Sequence, residues 1–144
     1  MNMDNTSKTF LGTGWKFPVE FKKNNNKSGT VAMLQGEEDI RNSLEVLFGT
    51  RSGERVMHTS YGSALETFLF MPVNKSVITY MQALISNEIL FNEPRIILNE
   101  VEIEESVNEE GRLDIRIDYT VNATNNRYNY VFPFYINEGT NLKK

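Results

Sequence analysis

The sequence contains no cysteine. That absence excludes disulfide cross-links, thiolate nucleophiles and cysteine-ligated zinc together, and it fits a reducing cytoplasm. Histidine is almost as scarce. His58 is the only one, so a histidine-rich metal site is excluded and any Ser–His–Asp relay would have to run through it. Ser60 and Ser63 lie close by, but neither sits in a G-x-S-x-G elbow, and a loop histidine is the plainer reading. No apolar run approaches the roughly 18 residues of a membrane span. Residues 1–9 are polar and lack the apolar stretch of a signal peptide. Positive charge is also short: 15 Lys and Arg face 19 Asp and Glu, a formal net charge of -4. Such a chain lacks the broad basic field that draws counterion-shedding nucleic acid, and it offers an anionic membrane surface nothing to attract.

What is present suits one ordinary globular domain. The chain has 144 residues, 40% hydrophobic and 24% charged, enough for a single core and too apolar for disorder. Its expected layout is a flexible tail over 1–9, one domain over 10–136 and a second tail over 137–144. Lys22 to Gly29 reads as a polar loop, and 30–36, with Val31, Met33 and Leu34, as a short strand. Glu37, Glu38 and Asp39 precede Ile40, Leu44, Leu47 and Phe48, with Gly49 after them. Acids at the positive end of a helix and glycine at its close predict a helix from about Glu37 to Phe48. Ser63 is placed to cap a short helix through Leu69 that Pro72 ends. Asn74 is placed to cap a longer helix to about Phe91, whose stripe of Val77, Ile78, Met81, Leu84, Ile85 and Glu88 turns its apolar members to a sheet.

The last third alternates with a period of two. Leu113, Ile115, Ile117, Tyr119 and Val121 make one run, Ile97, Val101 and Ile103 another, and Tyr128, Tyr130, Phe132, Phe134 and Ile136 a third. Turn-forming segments separate them. Helices followed by three neighbouring strands predict an α+β fold: an antiparallel meander with helices packed on one face. Pro133 lies inside the third run, and proline is tolerated mainly at a sheet edge. Val131 and Tyr135 beside it make part of the off-core face apolar. Two readings of this edge stay open: one covered by the chain's own N-terminal segment, and one able to accept another chain's strand.

Catalytic signals are weak. Gly12-Thr-Gly14 belongs to no complete phosphate-binding motif. Six glutamates between Asn99 and Gly111 lack calcium-loop spacing and fit a solvated strand face. Carboxylates are plentiful, yet no pair is marked for glycoside hydrolysis. No metal, cofactor or small-molecule substrate is therefore expected. Glu93-Pro94-Arg95 stands at the junction of the long helix and the sheet. Proline stiffens the connection, and arginine's planar fork suits a bidentate partner. A local ion pair or helix-end cap is preferred on the residues alone, with a contact surface as the other reading.

At this triplet the sequence resembles a known family. Glu93-Pro-Arg-Ile96 resembles the E-P-R motif of the baseplate-wedge family that includes phage gene product twenty-five, the GPW-type proteins and the type VI secretion protein TssE. Gly12-Thr-Gly-Trp-Lys-Phe-Pro18 resembles its G-x-G-x-x-F-P segment, and Thr50-Arg-Ser-Gly-Glu-Arg55 its T-x-x-G-E-R turn. Tyr61-Gly-Ser-Ala-Leu65 resembles F-G-x-x-L, and the closing sheet ends in Val131-Phe-Pro-Phe134. The resemblance spans roughly residues 10–136 and implies a fold like the C-terminal domain of the sheath protein. It implies a structural component of a contractile injection system, of the phage-tail or type VI kind, that docks on the baseplate core and initiates sheath polymerisation by strand addition. Carried over by position, Glu93, Pro94 and Arg95 become partner contacts, joined by Val131, Pro133 and Tyr135 on the edge, while Gly53, Glu54 and Arg55 form a structural turn. The partners implied are sheath subunits and other wedge proteins, with no nucleic acid and no direct membrane insertion. The implied location is cytoplasmic, in a baseplate that ends in a virion or injection particle. A lysozyme-like peptidoglycan hydrolase is the alternative, though no motif supplies a second carboxylate opposite Glu93.

Overall fold

The computed structural model describes residues 11–23, 25 and 29–136; the tails expected over 1–9 and 137–144 lie outside them. The chain forms two compact units, Met1–Val46 and Leu47–Lys144.

The first unit holds two small antiparallel ribbons. Strand β1 (Thr13–Trp15) pairs with β4 (Met33–Gln35), and β2 (Phe21–Lys23) with β3 (Gly29–Val31). The expected loop from Lys22 is thus shorter, because Lys22 and Lys23 pair with Thr30 and Gly29. The expected single strand over 30–36 is two, divided at Ala32. Ala32 donates its N–H to Glu20 O (2.8 Å) and accepts from Lys16 N–H (2.9 Å), so this buried residue hands the chain from one ribbon to the other. Helix α1 (Glu37–Gly49) starts after Gly36 with all three predicted acids in its first turn, where the helix dipole favours them. Gly14 lies flush against this turn, and a Cβ there would overlap Asp39 Oδ1. Asn42 adds a clamp: its Oδ1 accepts from Phe17 N–H (3.0 Å) and its Nδ2 donates to Trp15 O (3.1 Å). The G-x-G-x-x-F-P segment is therefore a latch that fixes β1 to the start of α1.

The second unit holds a 3-10 turn (Leu65–Phe68), helix α2 (Lys75–Asn92) and strands β5 (Ile96–Glu105), β6 (Arg112–Val121) and β7 (Arg127–Tyr135). The strands form one antiparallel sheet in the order β5-β6-β7, the expected meander. Asn74 caps α2 as expected, its Oδ1 accepting from Val77 N–H at 2.9 Å. The buried row of α2 is Met81, Ile85 and Ile89. It packs on β5, and Gln82 Nε2 reaches Val101 O at 2.9 Å. Leu113, Ile115, Ile117, Tyr119 and Val121 are all buried, each such side chain contributing about 1.5–3 kcal/mol on burial. Ile97 departs from expectation. The β5–β6 register shifts between Leu98 and Glu100, and this bulge flips the alternation. Ile96 therefore faces the core together with Val101 and Ile103, and Ile97 faces solvent.

Candidate functional site

The Glu-Pro-Arg elbow begins where α2 stops. Glu93 N–H closes the last helical turn on Ile89 O (2.8 Å), and its ψ of 79° leaves the helical region because a residue before proline is pushed out of it. The Glu93 side chain is 3% exposed and that of Arg95 28%. Arg95 Nε meets Glu93 Oε1 at 2.6 Å and Arg95 Nη2 meets Oε2 at 2.7 Å, a fork-to-fork pair. The turn after β6 fastens the elbow from the other side. Asn122 Nδ2 donates to Pro94 O (3.2 Å) and Asn122 N–H to Arg95 O (3.0 Å). The structure thus realises the ion-pair reading of this triplet. Its solvent-facing parts are Pro94 and a portion of Arg95, while the Glu93 carboxylate is enclosed.

Residues 50–63 form a loop closed at its base. Ser63 N–H donates to Thr50 O (2.8 Å) and Ser52 N–H to Ser63 O (3.1 Å). Gly62, at φ 119°, lies against the Arg51 backbone, where a Cβ would meet Arg51 C and O at 2.7 Å. Gly53 has φ 84° and donates to Thr59 O at 2.9 Å, and Glu54 Oε2 accepts from Arg51 N–H at 3.0 Å. Those two residues build the turn. Arg55 points elsewhere: its guanidinium carbon lies 4.2 Å from the Tyr61 ring centre, a cation–π contact. Burial raises the Tyr61 hydroxyl pKa; Arg55 opposes the shift and the Glu93 charge adds to it. Tyr61 therefore holds Arg55 over its ring, a role the sequence did not reveal.

Ser63 bonds the first residue of the short helix as expected, but it does not do so alone. Ala64 occupies the cap position without a side-chain bond of its own, and its N–H donates to Glu88 Oε1 at 2.8 Å. A carboxylate from α2 thus caps the neighbouring turn, while Ser63 Oγ accepts from Leu65 N–H at 3.3 Å. Burial raises the Glu88 pKa, against the pull of the Ala64 N–H and the Ser63 side chain. The available signal was an acid on the apolar stripe of α2.

Between the loop and α2 opens a cleft of about 930 Å³, lined by Arg55, His58 and Tyr61 on one side and Tyr80, Glu88 and Phe91 on the other. Glu88 is the single carboxylate among its described lining residues. Both glycosidase geometries need two. Among the described residues no group of three or more His, Asp or Glu is placed to hold a metal ion.

Strand β7 is an edge: among the described residues it pairs with β6 alone. Ile136 N–H donates to Gly111 O (2.8 Å) and Asn126 O accepts from Val121 N–H (2.9 Å), so even-numbered residues turn their backbone groups to β6. By alternation the odd ones face outward. Pro133 falls on the outward set, where its missing N–H leaves the ladder intact. Val131 and Tyr135 flank it, both exposed. A groove of about 200 Å³ adjoins the edge, lined by Phe48, Leu65, Leu69, Phe132, Pro133 and Phe134 among others. The solvent face of the sheet carries two internal ion pairs: Arg116 pairs with Glu102 at 3.3 Å and Arg127 with Asp118. The elbow and the edge are thus separate features of the second unit. No helix of the described residues is long and apolar enough to cross a membrane.

No curated protein matches the sequence. Among the solved structures that resemble the chain are the following three. A Geobacter sulfurreducens protein described as a candidate tail lysozyme is 37% identical with a TM-score of 0.66, covering 72% of this chain and 93% of its own. A chain of the anti-feeding prophage baseplate is 28% identical with a TM-score of 0.65, covering 92% of each. A chain of the post-contraction baseplate of pyocin R2 is 28% identical with a TM-score of 0.55, covering 71% of this chain and 98% of its own. The sequence also matches the family described as baseplate wedge protein gp25 over residues 34–126. With that match spanning well over half its length, the chain belongs to the gp25 baseplate wedge family.

Proposed function

We propose that this protein is a structural baseplate component of a contractile injection system and that it acts by templating. It docks on the baseplate core and on other wedge proteins through the elbow of Pro94 and Arg95, the latter fixed by Glu93. It offers the first sheath subunits the outer edge of β7. Strand addition there supplies backbone hydrogen bonds, and the adjoining groove receives a side chain that sets specificity. The observation that carries this reading is the outward backbone of β7, unpaired with any strand among the described residues. Its support is the likeness to chains of two contractile-type baseplates.

The test is Val131→Pro. It removes an outward-facing donor next to Pro133 and leaves the pairing with β6 unchanged. The variant is expected to keep a wild-type circular dichroism spectrum and to abolish sheathed particles in electron micrographs. Normal particle numbers would overturn the reading.

Peptidoglycan hydrolysis is the second reading, favoured by the description of the Geobacter relative. The lone carboxylate of the described cleft speaks against it, since Glu88 already serves a backbone N–H.

A further inference from the structure

A second surface lies at the far end of the meander, where the β5–β6 connection meets the segment between the 3-10 turn and α2. A cleft of about 740 Å³ opens there. Its floor is apolar, with Leu113 and Ile136 buried, and its rim carries Phe70 at 93% and Val107 at 100% exposure. Met71 adds a further exposed apolar side chain. Large apolar groups gathered in the open on two separate connections mark an interaction site more often than a neutral surface.

The charges around this apolar cleft are one-sided. Arg112 is the only basic lining residue, and it is already engaged, with Nε 2.9 Å from Asp114 and Nη1 2.6 Å from Glu109. One cation shared between two acids leaves a net negative charge there. Glu105 and Glu110 also line the cleft, and no cation pairs with either among the described residues. Within the glutamate-rich run before Gly111, Glu109 also accepts from the Tyr135 hydroxyl of β7, while Glu105 and Glu110 place surplus negative charge beside exposed apolar side chains. The occupant that complements both features has a bulky apolar side chain flanked by lysine or arginine.

We infer that this cleft is a docking site for a basic, apolar peptide segment of a partner protein. The apolar side chain enters between Phe70 and Val107, and the flanking cations lie over Glu105 and Glu110. This goes beyond the elbow and the β7 edge and stands or falls separately from them.

The test uses the full-length protein labelled with nitrogen-15 and the peptide acetyl-Lys-Leu-Lys-Phe-Lys-amide, followed by chemical-shift perturbation. Saturable shifts are expected at the amides of Phe70, Met71, Val107 and Gly111. Affinity is expected to fall about tenfold when lysine is replaced by glutamate in the peptide, and to weaken with added salt. The double variant Glu105→Lys, Glu110→Lys should lose the preference for the basic peptide while retaining the folded spectrum. Equal binding of both peptides, shifts centred elsewhere or an absence of saturable shifts would overturn the inference. So would concentration-dependent self-association in sedimentation that Phe70→Ser abolishes, which would assign the cleft to a second copy.

Discussion

Arg95 and Glu93 are unequal halves of one pair. The carboxylate is enclosed and the guanidinium reaches water, so removing either leaves a different remainder. Arg95→Ala strands a buried charge and is expected to cost about 3 kcal/mol. Glu93→Gln leaves a cation that can turn to solvent and is expected to cost clearly less. Urea denaturation of both variants checks this, and equal losses would count against it. Gly62 is a second single-residue constraint. A Cβ there meets the Arg51 backbone at 2.7 Å, on a φ of 119° that other residues rarely adopt. Gly62→Ala is expected to lower stability by about 2 kcal/mol or more in the same assay. Gly29, where an added Cβ meets nothing within 4 Å, is the control.

At the level of elements, Glu88 couples α2 to the neighbouring 3-10 turn, and the coupling is proton-dependent. Its pKa in the folded protein lies above the ordinary 4.5, so the folded state holds a proton where the unfolded chain has released it. Folding stability from this group therefore falls as pH rises through the window above 4.5. Glu88→Gln keeps an oxygen for the Ala64 N–H and removes the titration. Relative to wild type, its melting temperature is expected to rise from about pH 4.5 to about pH 7. A gap that shrinks over that range would sink the assignment. The same element shows where sequence reading stops. Asn74 was legible as a cap because its partner is Val77, within the same turn. Glu88 was not, because its partner Ala64 lies on another element. Local alternation located β6 fully, but the bulge after Leu98 inverted the face of Ile97, since nothing local announces a register shift. The ribbons of the first unit were read as loop and single strand because their strands span three residues each, too few to show a period. Of the candidate site, the elbow and the edge proline were readable as motifs. The stacking of Arg55 on Tyr61 was not.

For the molecule as a whole, the described cleft beside α2 lacks a second acid. Purified protein added to a peptidoglycan suspension is expected to leave its turbidity unchanged. Clearing that Glu88→Gln abolishes would replace templating with hydrolysis as the account of this chain. The strand addition proposed at β7 would make a different demand, because it needs a border that stays open until the right chain arrives. Open borders are also where proteins fuse into fibrils. Pro133 sits towards the end of this one, between Val131 and Tyr135, and interrupts its row of donors. Two copies meeting border to border would each bring the same interruption, so like binds like poorly. The residue that betrayed the edge in the sequence would thus also guard it against pairing with its own kind.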